Sequence, residues 1–77
     1  YIELDEKHAI IEVAVPDNWQ GHSIGELDIR RKYGVNILGV KRSDKTDVTI
    51  SPETMLDSSL TLLVLGENQL LKKHFHL

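Results

Sequence analysis

The segment 21–25 reads Gly-His-Ser-Ile-Gly and matches letter for letter the G-x-S-x-G pattern around the nucleophilic serine of many hydrolases. In those enzymes a strand runs directly into the serine, and a large sheet also supplies the oxyanion loop. An aspartate and then His74 or His76 do follow in the expected order. However, a loop containing Pro16 precedes Ser23, and 77 residues are too few to build that sheet. We therefore predict that the chain is not an enzyme and has no catalytic residues.

The histidines do not form a metal-binding pattern. Two of them lie two positions apart, so on a helix their side chains would point to different sides. The chain has no cysteine, and no pair of carboxylates is placed to complete a metal coordination shell. We expect surface histidines, no metal site and no cofactor. The four residues are His8, His22, His74 and His76.

Ser23 is better explained as the start of a helix. Ser23 and Glu26 form the S-x-x-E spacing of a capping box, in which each side chain bonds the other residue's backbone N–H. The predicted helix runs to about Lys32, and Gly34 follows as a left-handed stop. The cations near its end, at positions 30–32, are also what the helix dipole favours there.

The spacing leaves the role of Ile29 open. At about 100° per residue, Ile24, Leu27 and Arg31 share one face, and Ile29 points to roughly the opposite side. Ile29 is therefore a second core contact, a lone exposed isoleucine, or a residue that faces a partner or a ligand.

The pattern of the whole chain predicts an α+β fold, with two helices against a mostly antiparallel sheet in the order β-α-β-β-β-α. The run 60–65 is almost continuously apolar, which indicates a buried strand. A polar turn at 43–46 joins two of the strands. The predicted strands are 8–15, 35–41, 47–50 and 60–65, and the closing helix is 67–75.

Length and composition indicate one domain, residues 1–77, in which residues 1–7 are an ordered lead-in or a linker remnant. The net charge of −3 makes general binding to nucleic acid or anionic membranes a poor expectation. No run approaches the ~20 apolar residues of a membrane span, and no signal-peptide layout is present. The absence of cysteine fits a reducing cytoplasm. Because so short a chain keeps a large surface fraction, we expect a homodimer.

The order of motifs resembles the TrkA-C (RCK_C) domain family. The resemblance lies in segments 15–16, 21–27, 30–42, 51–52 and 60–66, and it covers about residues 11–71. Trp19 departs from it, because many members carry a small or polar residue there. No G-x-G-x-x-G fingerprint is present, so the chain looks like an isolated C-terminal lobe.

The resemblance implies a lobe that follows a Rossmann domain in a cytoplasmic ring, which gates a membrane potassium channel or transporter subunit. Such a lobe is peripheral to the membrane through that subunit. Members of the Ktr potassium-uptake branch, and some antiporter relatives, bind cyclic di-AMP between two lobes, and the nucleotide is expected to lower potassium uptake. The alternative is a dimerisation lobe of a cation antiporter or channel regulator with a different ligand or none. By resemblance, the contact residues are Ile24, Asp28, Ile29, Arg30, Asn36, Ile37 and Pro52.

The residue types in that set suit a two-fold symmetric dinucleotide. The three isoleucines and the proline offer apolar surface for adenine rings. Arg30 presents a planar donor fork for phosphate oxygens, and Asn36 adds an amide donor. Asp28 would accept a hydrogen bond from an adenine amino group or a ribose hydroxyl. For Arg31 and Lys32 the sequence favours only the helix-dipole explanation.

Overall fold

The strand Thr61–Glu67 (β5) lies at the centre of a five-stranded antiparallel sheet with the order β1-β2-β5-β3-β4. This computed structural model describes all 77 residues. The other strands are β1 (Ile2–Glu3), β2 (His8–Ala14), β3 (Asn36–Arg42) and β4 (Lys45–Asp47). The helices are α1 (Ile24–Leu27), α2 (Ile29–Tyr33) and α3 (Asn68–Phe75), and Asp17–Trp19 forms one 3-10 turn. The predicted α+β class, with helices on an antiparallel sheet, is confirmed.

Alternation along β5 explains why it occupies the centre. Leu62 and Val64 point to the face that the helices cover and are fully buried, whereas Leu63 and Leu65 on the opposite face are half-buried. β2 pairs with one side of β5 and β3 with the other. The central strand therefore joins two strands that do not pair with each other.

The core lies between the sheet and the helices and contains no buried polar or charged residue. Trp19 is its largest member, with 1% of its surface exposed. Its ring centroid lies 4.9 Å from that of Tyr33 in α2 and 5.5 Å from that of Phe75 in α3. These separations are those of favourable aromatic pairs. Trp19 thus makes the loop before α1 part of the core.

The predicted first helix is interrupted at Asp28, where the sequence indicated one continuous helix. Asp28 has φ 50° and ψ 50°, the left-handed conformation that ends α1 before α2 begins. Aspartate is one of the few residues other than glycine that enter this region routinely. The break changes the direction of the chain, and Ile29 enters the core with 3% of its surface exposed.

Two further differences concern strands. The lead-in contributes a short strand, β1, through Ile2 and Glu3, which pair with Ile10 and Ala9. The predicted strand at 47–50 is wrong in position, because β4 ends at Asp47 instead of starting there. A tight turn at Ser43, which has φ 55°, sets Arg42 opposite Lys45 and so places the polar segment in the sheet.

The longest helix, α3, has eight residues. None of the helices combines the length and the apolar character that a membrane span requires.

Candidate functional site

A surface cleft of about 230 Å³ lies where α1, α2, the start of β3 and the segment around Pro52 meet. All seven residues that the family resemblance implied line this one cleft. The structure therefore brings together residues from positions 24 to 52, which the sequence alone could not place side by side. The complete lining is Ile24, Gly25, Asp28, Ile29, Arg30, Val35, Asn36, Ile37 and Pro52.

Backbone hydrogen bonds hold the Pro52 segment against α1. Gly25 N donates to Pro52 O at 2.8 Å, and Ile24 N donates to Thr54 O at 3.0 Å. A Cβ atom at Gly25 would lie only 2.9 Å from Pro52 Cβ, so the close approach requires glycine. The first amides of α1 are thus used within the fold, and an anion in the cleft must find its donors elsewhere.

Arg30 and Asn36 supply those donors. Arg30 Nε donates to Asn36 Oδ1 at 2.8 Å, which joins α2 to the start of β3. This bond leaves both terminal nitrogens of the guanidinium group and the amide nitrogen of Asn36 without a partner in the fold. Arg30 is exposed and is the only cation in the cleft lining. The pair therefore presents several N–H donors from a fixed position, as phosphate recognition requires.

Asp28 and Ile29 contribute to the cleft in different ways. The Asp28 carboxylate forms an ion pair with Arg31 and caps no backbone amide of α2. Ile29 is buried, so the core-contact interpretation of this residue is the one that the structure shows. It also forms part of the cleft lining, where a ligand would meet only its exposed edge. The apolar walls come mainly from Ile24, Ile37 and Pro52.

The capping box predicted at Ser23 is confirmed. Glu26 N donates to Ser23 Oγ at 3.1 Å, and Ser23 N donates to Glu26 Oε1 at 3.0 Å. His22 Nδ1 lies 3.0 Å from Glu26 Oε2. The hydrogen bond from the Ser23 backbone, followed by that from His22, lowers the pKa of Glu26 from its ordinary value. Ser23 thus works as a helix cap in a loop, and no strand runs into it.

The histidines are dispersed over the molecule. His8 Nδ1 lies 2.9 Å from Asp5 Oδ1, and His22 pairs with Glu26. His74 stacks edge-on against Tyr33, with ring centroids 5.0 Å apart, and burial lowers the pKa of His74. His74 is therefore less exposed than the prediction of a surface histidine implied. No three histidine, aspartate or glutamate side chains are grouped to hold a metal ion.

Three wider depressions, of about 470, 530 and 300 Å³, contain none of the seven residues that the resemblance implied. The first, bordered by His74 and His76, contains neither arginine nor lysine. In the second, Arg42 already donates to Ser59 Oγ at 2.5 Å and to Asp57 Oδ2 at 3.5 Å, and Lys45 lies there with Asp47. The third has no apolar wall. The smaller cleft is therefore the better candidate site.

Three contributors were missed at the level of sequence. Gly25 and Val35 line the cleft, and Arg31 holds Asp28. Gly25 lies inside the family motif, and this position was a detectable signal. Val35 and Arg31 also lie inside the family motif, but the residue pattern gave no sign of their roles, which depend on the turn at Asp28.

The chain belongs to the TrkA-C domain family, whose model matches residues 8–75. Its relatives include the Ktr system potassium uptake protein C of Bacillus subtilis (strain 168). The two are 33% identical over 66 residues, which cover 86% of this chain and 30% of the relative. The chain thus spans about a third of the length of the curated relatives that it matches.

Solved structures agree with this assignment. The RCK C domain of the potassium transport protein KtrA, in complex with cyclic di-AMP, superposes with a TM-score of 0.80 at 30% identity. The match covers 90% of this chain and 81% of that one. The RCK_C domain dimer of S. agalactiae BusR, also in complex with cyclic di-AMP, has a TM-score of 0.69 at 22% identity. It covers 91% of this chain and 90% of that one.

BusR has also been solved with its promoter DNA, where the match has a TM-score of 0.70 and covers 90% of this chain and 36% of that one. At 22% identity, these BusR matches show a shared fold alone.

Proposed function

We propose that two copies of this lobe form a homodimer that binds one molecule of cyclic di-AMP and thereby regulates potassium transport. The observation that carries the proposal is the convergence of Ile24, Asp28, Ile29, Arg30, Asn36, Ile37 and Pro52 on one cleft. The likeness to the KtrA domain solved with this nucleotide supports it.

The size of the cleft favours a site shared by two copies. About 230 Å³ lies below the range of about 300–1,000 Å³ typical of small-molecule pockets. Two such clefts facing one another across a two-fold axis would reach that range. A two-fold ligand would then meet the same residues twice, once in each copy.

The chemistry of the cleft assigns each part of the ligand a contact. Ile24, Ile37 and Pro52 form apolar walls against which an adenine ring packs. The free guanidinium nitrogens of Arg30 donate to phosphate oxygens, and the Asn36 amide nitrogen adds another donor. Asp28 accepts a hydrogen bond from an adenine amino group or a ribose hydroxyl, away from the phosphates.

In the intact assembly, the ligand acts by changing populations. Cyclic di-AMP can shift the equilibrium between two ring conformations only by the difference in its affinity for them. We propose that cyclic di-AMP favours an inactive ring conformation. The Rossmann lobe transmits this conformation to a membrane transporter subunit, and potassium uptake falls. This places the lobe in the cytoplasm, attached to the membrane only through that subunit.

A panel titration of the purified lobe tests the proposal. Calorimetry with cyclic di-AMP, cyclic di-GMP, ATP and NAD should show one cyclic di-AMP per dimer and much weaker binding of the others. One ligand per monomer, or equal binding of the guanine analogue, contradicts the shared adenine site. Binding of another member of the panel, or of none, would favour the alternative of a dimerisation lobe.

A further inference from the structure

The cleft contains one carboxylate, that of Asp28, which can accept a hydrogen bond from the base or the sugar of the proposed ligand but whose full negative charge acts against its phosphates. Asp28 lines the same cleft as Arg30, and an isolated negative charge there would repel a phosphate or draw Arg30 toward itself. Neutralising Asp28 while keeping one of its oxygens available would remove this conflict.

Arg31 is placed to do this from outside the cleft. Its Nε donates to Asp28 Oδ2, three positions earlier in the chain, which leaves Asp28 Oδ1 able to accept another hydrogen bond. Arg31 is not part of the cleft lining, and its side chain is 77% exposed, against 41% for Asp28. The two consecutive arginines of α2 thus have separate partners, Asn36 for Arg30 and Asp28 for Arg31.

We infer that Arg31 is a positioning residue for the cleft, which holds and neutralises Asp28 so that Arg30 remains free for an anionic ligand. This inference rests on the proposed function, because it concerns the same cleft. It assigns Arg31 a role in binding without contact to the ligand. An exposed ion pair adds little to stability, so loss of Arg31 should be seen in binding and hardly in folding.

The expected effect follows from the charge that Arg31 neutralises. An unpaired carboxylate several ångströms from a phosphate, in a largely solvated site, weakens binding by about 3-fold. A ligand shared by two copies meets two such carboxylates, so Arg31→Ala should weaken binding by about 10-fold. Because salt screens exposed charges, the loss should shrink as the ionic strength rises toward about 1 M.

The test is a double-mutant cycle on the purified lobe. The four proteins are the wild type, Arg31→Ala, Asp28→Asn and the double variant, and calorimetry measures cyclic di-AMP binding to each. Asparagine tolerates the left-handed backbone and keeps the amide oxygen while it removes the charge. Arg31→Ala should lower the affinity for cyclic di-AMP about 10-fold when Asp28 is present, and it should lower the affinity no further in the Asp28→Asn background. Arg31→Lys should retain most of the affinity.

Two results would overturn the inference: an Arg31→Ala variant that binds like the wild type, or a loss of equal size in both backgrounds. If the wild type does not bind cyclic di-AMP, the proposed function fails, but the inference is still tested with inorganic pyrophosphate. The NMR chemical shifts of the Arg30 and Asn36 backbone amides then report pyrophosphate binding to the same four proteins. Arg31→Ala should again weaken binding only when Asp28 is present. Pyrophosphate that leaves these amides of the wild type unshifted at millimolar concentration also overturns it, because no anion then enters the cleft.

Discussion

Arg30 is the residue whose removal tests the cleft most directly. Arg30→Ala deletes a charge-assisted hydrogen bond worth about 1.5–3 kcal/mol, and the ligand loses it in both copies. We expect cyclic di-AMP affinity to fall by at least about 10-fold in calorimetry. Folding should change only modestly, because the substitution also removes the exposed hydrogen bond to Asn36, worth about 0.5–1.5 kcal/mol, and a helix-end charge worth about 0.3–1 kcal/mol.

Lys32→Ala is the matched control for this substitution. Lys32 is exposed, belongs to the same helix and lies outside the cleft lining. Arg31 is unsuitable as the control because it holds Asp28. Equal losses for Arg30→Ala and Lys32→Ala would argue against the assignment of Arg30, as would a loss explained by unfolding in a thermal melt.

The capping box makes part of the stability depend on pH. The pKa of Glu26 is lowered in the fold by the Ser23 amide and then by His22. The stability that the Glu26 carboxylate contributes is therefore present when the pH is above its usual pKa of 4.5, and it is lost as the pH falls through the lowered pKa. Between about pH 5 and pH 3, the melting temperature should fall more steeply for the wild type than for Glu26→Gln, whose amide does not titrate. If the melting temperatures of the two proteins fall in parallel, Glu26 is not the source of the pH dependence.

At the scale of single residues, the sequence predicted the helix cap at Ser23 and the types of the cleft residues. The Ser23–Glu26 spacing is local, so the capping contact that it implies could be predicted without knowledge of the tertiary fold. The pairing of Arg30 with Asn36 could not be predicted, because it depends on a left-handed Asp28 that turns α2 toward β3. The proposed contacts themselves came from the family resemblance and remain a prediction.

At the scale of elements, the contact between α1 and the Pro52 segment shapes the cleft. A methyl group at Gly25 would meet Pro52 Cβ at 2.9 Å and Pro52 O at 3.0 Å, so the segment must move away. Gly25→Ala should lower stability by about 1–3 kcal/mol in denaturant unfolding. It should also weaken cyclic di-AMP binding, because one wall of the site is displaced.

Gly21→Ala separates these two effects. Gly21 has φ 82° and no neighbour within 4 Å of an added Cβ, so alanine there causes backbone strain of roughly 1–2 kcal/mol without a contact. Gly21→Ala should therefore lower stability and leave binding by the folded protein nearly intact. If both variants bind equally weakly, the Gly25–Pro52 contact does not shape the site.

The elements differ in how well their boundaries could be predicted. β2 and β5 are long and rich in apolar residues, and their predicted positions were nearly correct. β4 was displaced because Val48 and Ile50 offered the apolar alternation of a strand, while the tight turn at Ser43 selected the polar segment Lys45–Asp47. β1 has only two residues and gave no pattern to detect.

For the whole molecule, we predict a dimer at micromolar concentration. The chain is short, Leu38 on β3 is 37% exposed, and the cleft alone is small for a dinucleotide. Light scattering coupled to size exclusion should give about twice the chain mass of 8.8 kDa. Cyclic di-AMP should shift any remaining monomer toward the dimer, because only the dimer completes the site. A monomer at every accessible concentration contradicts the shared site.

The central place of β5 also sets the order of events during synthesis. β2 and β3 pair only with β5 among the long strands, and His8 finds its partner at Glu67, near the other end of the chain. A nascent chain that has reached only position 60 therefore exposes Ile11 and Val40 on strands without their main partner. Such strands are prone to pair with other chains. The sheet of this lobe therefore cannot be completed until Thr61–Glu67 has left the ribosome.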